Sequence, residues 1–192
     1  IPNEQPLIYF PADHLIEKVN LFNNQIVKNK LQLSSQNIFI FGIKPTYPSS
    51  DYGYFLTKKI RGKKEKVDNF IEKPIKRKAI QIIKKGGHWN SGIFFFRKDS
   101  IINNFKKYQP KIYSSCFTSV KKAKIKKNIY FLEKNSFNQA PAKSFDYAIL
   151  EKSKNINGIK LNVPWSDLGS WKEISKIYQK NFNKYFNKKN IY

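Results

Sequence analysis

One cysteine, no methionine and only three arginines occur in 192 residues, and each scarcity excludes something. Cys116 alone cannot close an internal disulfide, and no CxxC or Cys/His cluster is present to build a zinc site. This fits a reducing compartment, and neither His14 nor His88 stands at a recognisable catalytic spacing from the thiol. No apolar run approaches the roughly 20 residues that a bilayer-spanning helix needs, and no signal peptide opens the chain. A soluble, cytoplasmic protein without a membrane partner is expected. Methionine is missing even at position 1, so the natural translation start is expected upstream of Ile1.

Acidic residues are also few, 13 against 37 basic ones, giving a formal charge of +24. Such a charge predicts weak, salt-sensitive binding to polyanions. It does not predict a specific nucleic-acid reader. The guanidinium fork that suits phosphates and base edges is supplied only by Arg61, Arg77 and Arg97. The remaining positive charge is lysine mixed with abundant Asn and Ile, as a bias toward A/T-rich codons would produce. Apolar residues, by contrast, are plentiful at 40%, with 16 Phe, 11 Tyr and 3 Trp, enough to fill the core of one ordinary domain. Residues 1–179 read as that domain, and the Lys/Asn-rich tail at 180–192 is expected to fray.

Leu7 to Phe10 is a short apolar run stopped by Pro11, which reads as a buried strand ending just before Asp13. Leu15, Val19, Phe22 and Ile26 then recur at helical spacing. Further strands are predicted over Asn37 to Ile43, Val67 to Ile71, Ile93 to Phe96 and Ile159 to Val163, with Trp89 to Gly92 as a loop feeding the third of these. Helices are predicted over Ile75 to Lys85, Asp99 to about Lys127, Ser144 to Lys152 and Trp171 to Tyr178. The alternation favours an α/β fold: a Rossmann-like mixed, mostly parallel sheet with helices on both faces, whose ligands sit beyond strand ends. Asp13, Glu72 and Asn90 fall in such places.

Six segments in order carry a resemblance: FPADH (Phe10 to His14), FGIKPTYPSSDYGYF (Phe41 to Phe55), FIEKP (Phe70 to Pro74), WNSGIFFFR (Trp89 to Arg97), SFDYAILEKS (Ser144 to Ser153) and WSDLGSW (Trp165 to Trp171). Together they resemble the bacterial mannose-1-phosphate guanylyltransferases over nearly the whole chain. The resemblance implies a sugar nucleotidyltransferase fold and the formation of GDP-mannose and pyrophosphate from GTP and mannose 1-phosphate, with Mg²⁺ as cofactor. It implies that Asp13 and Asp167 hold the metal, and that Gly53, Glu72 and Asn90 seat mannose while Lys73 pairs with the sugar phosphate. Asp13, Lys73 and Asp167 would be the catalytic set.

Those residue types suit the chemistry. Two polyanions must approach one another, and Mg²⁺ takes oxygen ligands, usually one or two carboxylates beside phosphates and waters. Glutamate accepts hydroxyl protons with charge-assisted strength, lysine supplies a compact cation, and asparagine offers both donor and acceptors. Glycine lets backbone approach a ligand closely. Taken singly, Asp13 could equally cap a helix and Asp167 sit in a turn. Trp89, Trp165 and Trp171 are expected to pack around the pocket, and His14 and His88 to be structural.

Two local departures accompany the resemblance: Asp51 replaces a common glycine, and the stretch from Gly86 to Asn90 is one residue short. The glycine-rich signature that holds the triphosphate is absent, because Gly86 and Gly87 lack its basic residues. The expectation is a gene fragment or decayed copy, inactive alone, with a sheet edge exposed on the nucleotide side. Rival readings are a glucose or N-acetylhexosamine nucleotidyltransferase and a non-catalytic polyanion binder. The sequence leaves open whether copies assemble into a homo-oligomer.

Overall fold

A computed structural model describes residues 2–60, 65–169, 171, 174, 175 and 177–179. The tail at 180–192 lies outside the described residues, as does part of the helix expected from Trp171. The elements begin with strands β1 (Pro6–Tyr9) and β2 (Leu15–Ile16), helix α1 (Val19–Lys30), and strands β3 (Ile38–Ile43), β4 (Tyr54–Lys59) and β5 (Glu65–Ile71). There follow α2 (Lys76–Lys84), β6 (His88–Arg97), α3 (Lys98–Tyr108), α4 (Pro110–Lys121), the hairpin β7 (Lys124–Lys126) and β8 (Ile129–Phe131), and α5 (Lys134–Asn138). One π turn (Asp146–Leu150), β9 (Ile156–Leu161) and β10 (Trp165–Ser166) complete the described elements.

The main sheet has the order β1-β6-β3-β9-β5-β4. Its centre is β3, IFIFGI, with all six residues buried, as expected of a strand covered on both faces. Alternation divides the core. Phe39, Phe41 and Ile43 face Phe22 of α1 and Ala79 and Ile82 of α2. Ile38 and Ile40 face the π turn and the partly buried Ile101 and Phe105 of α3. Helices therefore cover both faces, as the pattern predicts.

The strand directions correct one detail. The sheet is mixed, but among the described strands only β3 and β9 run parallel; the other pairs are antiparallel. A parallel pair needs a long crossover, which β3 and β9 have, whereas β4 and β5 are joined by a short connection that can only fold back.

Several boundaries move for identifiable reasons. Leu15 matches the helical spacing but joins Ile16 in a strand against β10, because Lys18 adopts a left-handed conformation (φ 56°) and delays α1 to Val19. The long helix expected after Asp99 breaks at Gln109–Pro110, where Pro110 occupies the first turn of α4. Its tail becomes the β7–β8 hairpin, whose two-residue turn has both Lys127 and Asn128 at positive φ. The helix expected over Ser144 to Lys152 shortens to a single π turn. Strand β9 begins earlier than expected, and β4 has no clear sequence signal because it carries Lys58 and Lys59. No helix among the described residues is long and apolar enough to cross a membrane.

Candidate functional site

Trp89, Asn90 and Ser91 belong to β6 itself, not to a loop before it. The register between β3 and β6 shifts between Ile40 and Gly42, so β6 bulges there. Gly92 takes φ 71° inside the bulge, a conformation that side-chain-bearing residues rarely adopt. The Ser91 hydroxyl donates to the Phe41 carbonyl at 2.8 Å, which occupies an acceptor at the point where the ladder is disturbed. The bulge re-aims Asn90 into a cleft of about 230 Å³ at the sheet end.

The lining of that cleft includes Gly53, Glu72, Asn90, Asp167, Asp146 and His14. Four of the six residues expected from the sequence therefore come together, drawn from four separate motifs. Asp13 and Lys73 are not part of the lining. Lys73 lies close enough for its cation to pull down the pKa of both Glu72 and Asp146, against the larger effect of burial. Glu72 and Lys73 follow the end of β5, and Lys73 turns left-handed (φ 44°), so a backbone turn separates their side chains in place of strand alternation.

Gly53 has a specific steric task. A Cβ built there would lie 2.4 Å from Glu72 Oε2 and 3.2 Å from Phe70 Cζ. The missing side chain makes room for the carboxyl group. Glu72 Oε2 is buried without a hydrogen-bond partner, and the Glu72 pKa is pushed up to about 7, first by burial and then by Asp146, with Lys73 opposing. Asp146 is itself raised, chiefly by burial. Asn90 donates from Nδ2 to Asp146 Oδ1 at 2.8 Å and accepts the Gly92 N–H at 3.2 Å.

The raised Glu72 pKa predicts a pH dependence of stability. A carboxyl group that binds its proton more tightly folded than unfolded favours the folded state at low pH. That contribution is complete below the ordinary value of 4.5 and is lost as pH rises toward about 7. Glu72→Gln should flatten this part of the profile, and thermal midpoints of both proteins measured from pH 4 to 8 check it.

The pairing of β2 with β10, in which Ser166 lies opposite Leu15, brings the segment of Asp167 alongside the one that carries Asp13 and His14. Asp167 follows one strand and His14 precedes the other. His14 Nε2 stands 3.9 Å from Asp13 Oδ1; burial lowers its pKa, against the opposing pull of Asp13 and then Asp167. Tyr52 hydrogen-bonds Tyr47 and Asp167, and its phenol is held strongly toward the neutral form, mainly by burial. The Gly169 N–H also reaches Asp167 Oδ1, at 3.2 Å. Between Asp167 and Gly169, Leu168 is left-handed (φ 52°), an uncommon conformation for leucine.

A nucleotidyl transferase family model matches residues 1–184. The chain belongs to the nucleotidyl transferase family. This nucleotidyl transferase chain is 32% identical over 186 residues to a mannose-1-phosphate guanylyltransferase from Escherichia coli, an alignment covering 93% of the chain and 40% of that relative. A structure of a Helicobacter pylori mannose-6-phosphate isomerase superposes with a TM-score of 0.76 at 29% identity, covering 86% of this chain and 66% of that one. A Thermus thermophilus mannose-1-phosphate geranyltransferase gives a TM-score of 0.79 at 23% identity, covering 90% and 49%, which bears on the fold alone. The nucleotidyl transferase chain thus spans about 40% of the length of the E. coli relative.

The donor set suits a hard cation. Two carboxylates, Asp13 and Asp167, lie near enough to His14 to raise its pKa, and no group of three or more His, Cys, Asp or Glu that could hold a metal occurs among the described residues. Such a pair is too sparse for a protein-enclosed metal cage but matches the one or two carboxylates that Mg²⁺ commonly takes.

Sequence reasoning gave no role to Tyr52 and only a structural one to His14; Trp165 lines the cleft as expected, with its Nε1 buried without a partner. The signal for Tyr52 and His14 was proximity to Gly53 and Asp13 in the motifs. Trp89 is buried in the core, but Trp171 is 85% exposed and does not wall the pocket. His88 stacks on Phe55 in the sheet, as a structural residue.

Proposed function

We propose that this chain is the sugar-phosphate half of an enzyme that forms GDP-mannose and pyrophosphate from mannose 1-phosphate and GTP. The convergence of Gly53, Glu72, Asn90 and Asp167 on one cleft carries the reading, and the named E. coli relative supports the choice of sugar. Glu72 and the wall that carries Asn90, with Gly53 leaving the space, seat the hexose. Lys73, poised by the left-handed turn after Glu72, steadies the phosphate. An oxygen of that phosphate attacks the α-phosphorus of GTP in line, one P–O bond forms, and the bond to pyrophosphate breaks. No protein base is needed because the attacking oxygen carries no proton.

Asp13 and Asp167 would hold Mg²⁺, which offsets the repulsion between the two polyanions when bound. Tyr52 and the Gly169 N–H orient Asp167 for this task. The 192-residue chain alone turns over little or nothing on this reading, and the lone thiol of Cys116 suits the cytoplasm.

The test is calorimetric titration of the chain with mannose, glucose and N-acetylglucosamine 1-phosphates, with and without Mg²⁺. Mannose 1-phosphate should bind best, and Asp13→Asn and Asp167→Asn should each raise the Mg²⁺ concentration needed for that binding by at least about tenfold, since even indirect partners of metal ligands cost that much in affinity. Equal binding of all three sugars, or tighter binding to generic DNA than to mannose 1-phosphate at physiological salt, overturns the reading.

A further inference from the structure

The resemblance assigns the contact on the β6 wall of the cleft to Asn90, but hydrogen bonds within the protein already hold that side chain at both ends of its amide. Its Nδ2 donates to Asp146 Oδ1 at 2.8 Å, its Oδ1 accepts from Gly92 N, and its backbone N–H donates to the Gly53 carbonyl at 2.7 Å. Asparagine so engaged is a bracket. What it holds is the Asp146 carboxylate, which lines the same cleft as Glu72.

Asp146 is delivered by an unusual piece of backbone. It opens the π turn, closed by the Glu151 N–H donating to the Asp146 carbonyl at 3.0 Å. Such wide turns are rare and are often found at functional sites. This one buries Ala148, Ile149 and Leu150 while leaving Tyr147 49% exposed, so its first residue stands at the cleft. Asp146, His14 and Gly92 also line a neighbouring apolar groove of about 600 Å³. Asp146 therefore stands on the partition between the two hollows.

We propose that Asp146 is the group that meets the sugar on this wall, accepting a hydroxyl proton, and that Asn90 is a positioning residue acting through it. The inference rests on the sugar-phosphate reading and deepens it. Glu72 and Asp146 then form two acceptors in one small cleft, which suits a ligand offering hydroxyl donors to both. A hexose with free hydroxyls satisfies them; an amide carbonyl at the same position would set acceptor against acceptor.

Titration of the chain with mannose 1-phosphate and its 2-, 3-, 4- and 6-deoxy analogues tests this, using wild type, Asp146→Ala, the isosteric Asp146→Asn and Asn90→Ala. In wild type, one deoxy analogue should bind about 10- to 100-fold more weakly than the parent, as loss of a hydrogen bond to a charged group predicts. In Asp146→Ala that analogue and the parent should bind within about twofold of one another, as a double-mutant cycle requires of a direct contact. Asp146→Asn should narrow the same gap if the alanine variant does not fold. Asn90→Ala should narrow it partly. If every analogue keeps its wild-type penalty in both Asp146 variants, Asp146 acts only through the fold and the inference fails. It fails equally if Asn90→Ala erases the discrimination while the Asp146 variants retain it. Failure of the wild type to bind any sugar phosphate would instead bring down the underlying reading, and the inference with it.

Discussion

Gly53→Ala is expected to weaken mannose 1-phosphate binding by at least about tenfold while leaving the fold nearly as stable as before. The added Cβ would lie 2.4 Å from Glu72 Oε2, 3.2 Å from Phe70 Cζ and 3.5 Å from Asn90 Cβ. The tightest contact is with the end of a flexible side chain, so the Glu72 carboxylate swings away at small cost. Moving it removes a charge-assisted hydrogen bond to the ligand, worth about 1.5–3 kcal/mol, or roughly 10- to 100-fold in affinity. Calorimetry should therefore report a large loss of binding while the thermal midpoint drops by only a few degrees. Unchanged affinity would mean that Glu72 does not touch the sugar from its present position.

Phe41→Ala should have the largest effect on stability, about 3–5 kcal/mol. Phe41 is 0% exposed at the centre of β3, with its ring 5.3 Å from that of Phe22. Alanine would leave a cavity between the sheet and α1 that neighbours buried on both sides cannot readily fill. Domains of ordinary stability have about 5–15 kcal/mol in total, so the variant should unfold at markedly lower denaturant. Leu31→Ala, at a position 95% exposed, should lie within about 0.5 kcal/mol of wild type. Urea unfolding curves of the three proteins decide this. A Phe41→Ala loss below about 1 kcal/mol would contradict the central placement of β3.

Much of the architecture was legible because apolar patterning is a local property. The run IFIFGI could hardly be anything but a covered strand, and Pro110 shows in hindsight why one long helix became two. Where local signals were weak or ambiguous, the reading slipped. Leu15 obeys a helical spacing yet pairs with Ser166, a partner far along the chain that no window contains. Strand β4, half of it lysine and threonine, takes its conformation from β5 and β6 on either side.

The candidate site divides the same way. The resemblance carried by the motifs implies Asp13, Gly53, Glu72, Lys73, Asn90 and Asp167, and the chemistry of carboxylates, a glycine, a lysine and an amide suits that implication. The sequence by itself also determined the charge, the lack of disulfides and the α/β alternation. Only the tertiary structure decided that Gly53 makes room for Glu72, that Asn90 holds Asp146, and that Asp13 and Asp167 both act on one histidine. The physical reason is that identity and spacing act along the chain, whereas hydrogen-bond partners and burial depend on distances through space, which are fixed only once the sheet, its bulge and the π turn have brought remote segments together.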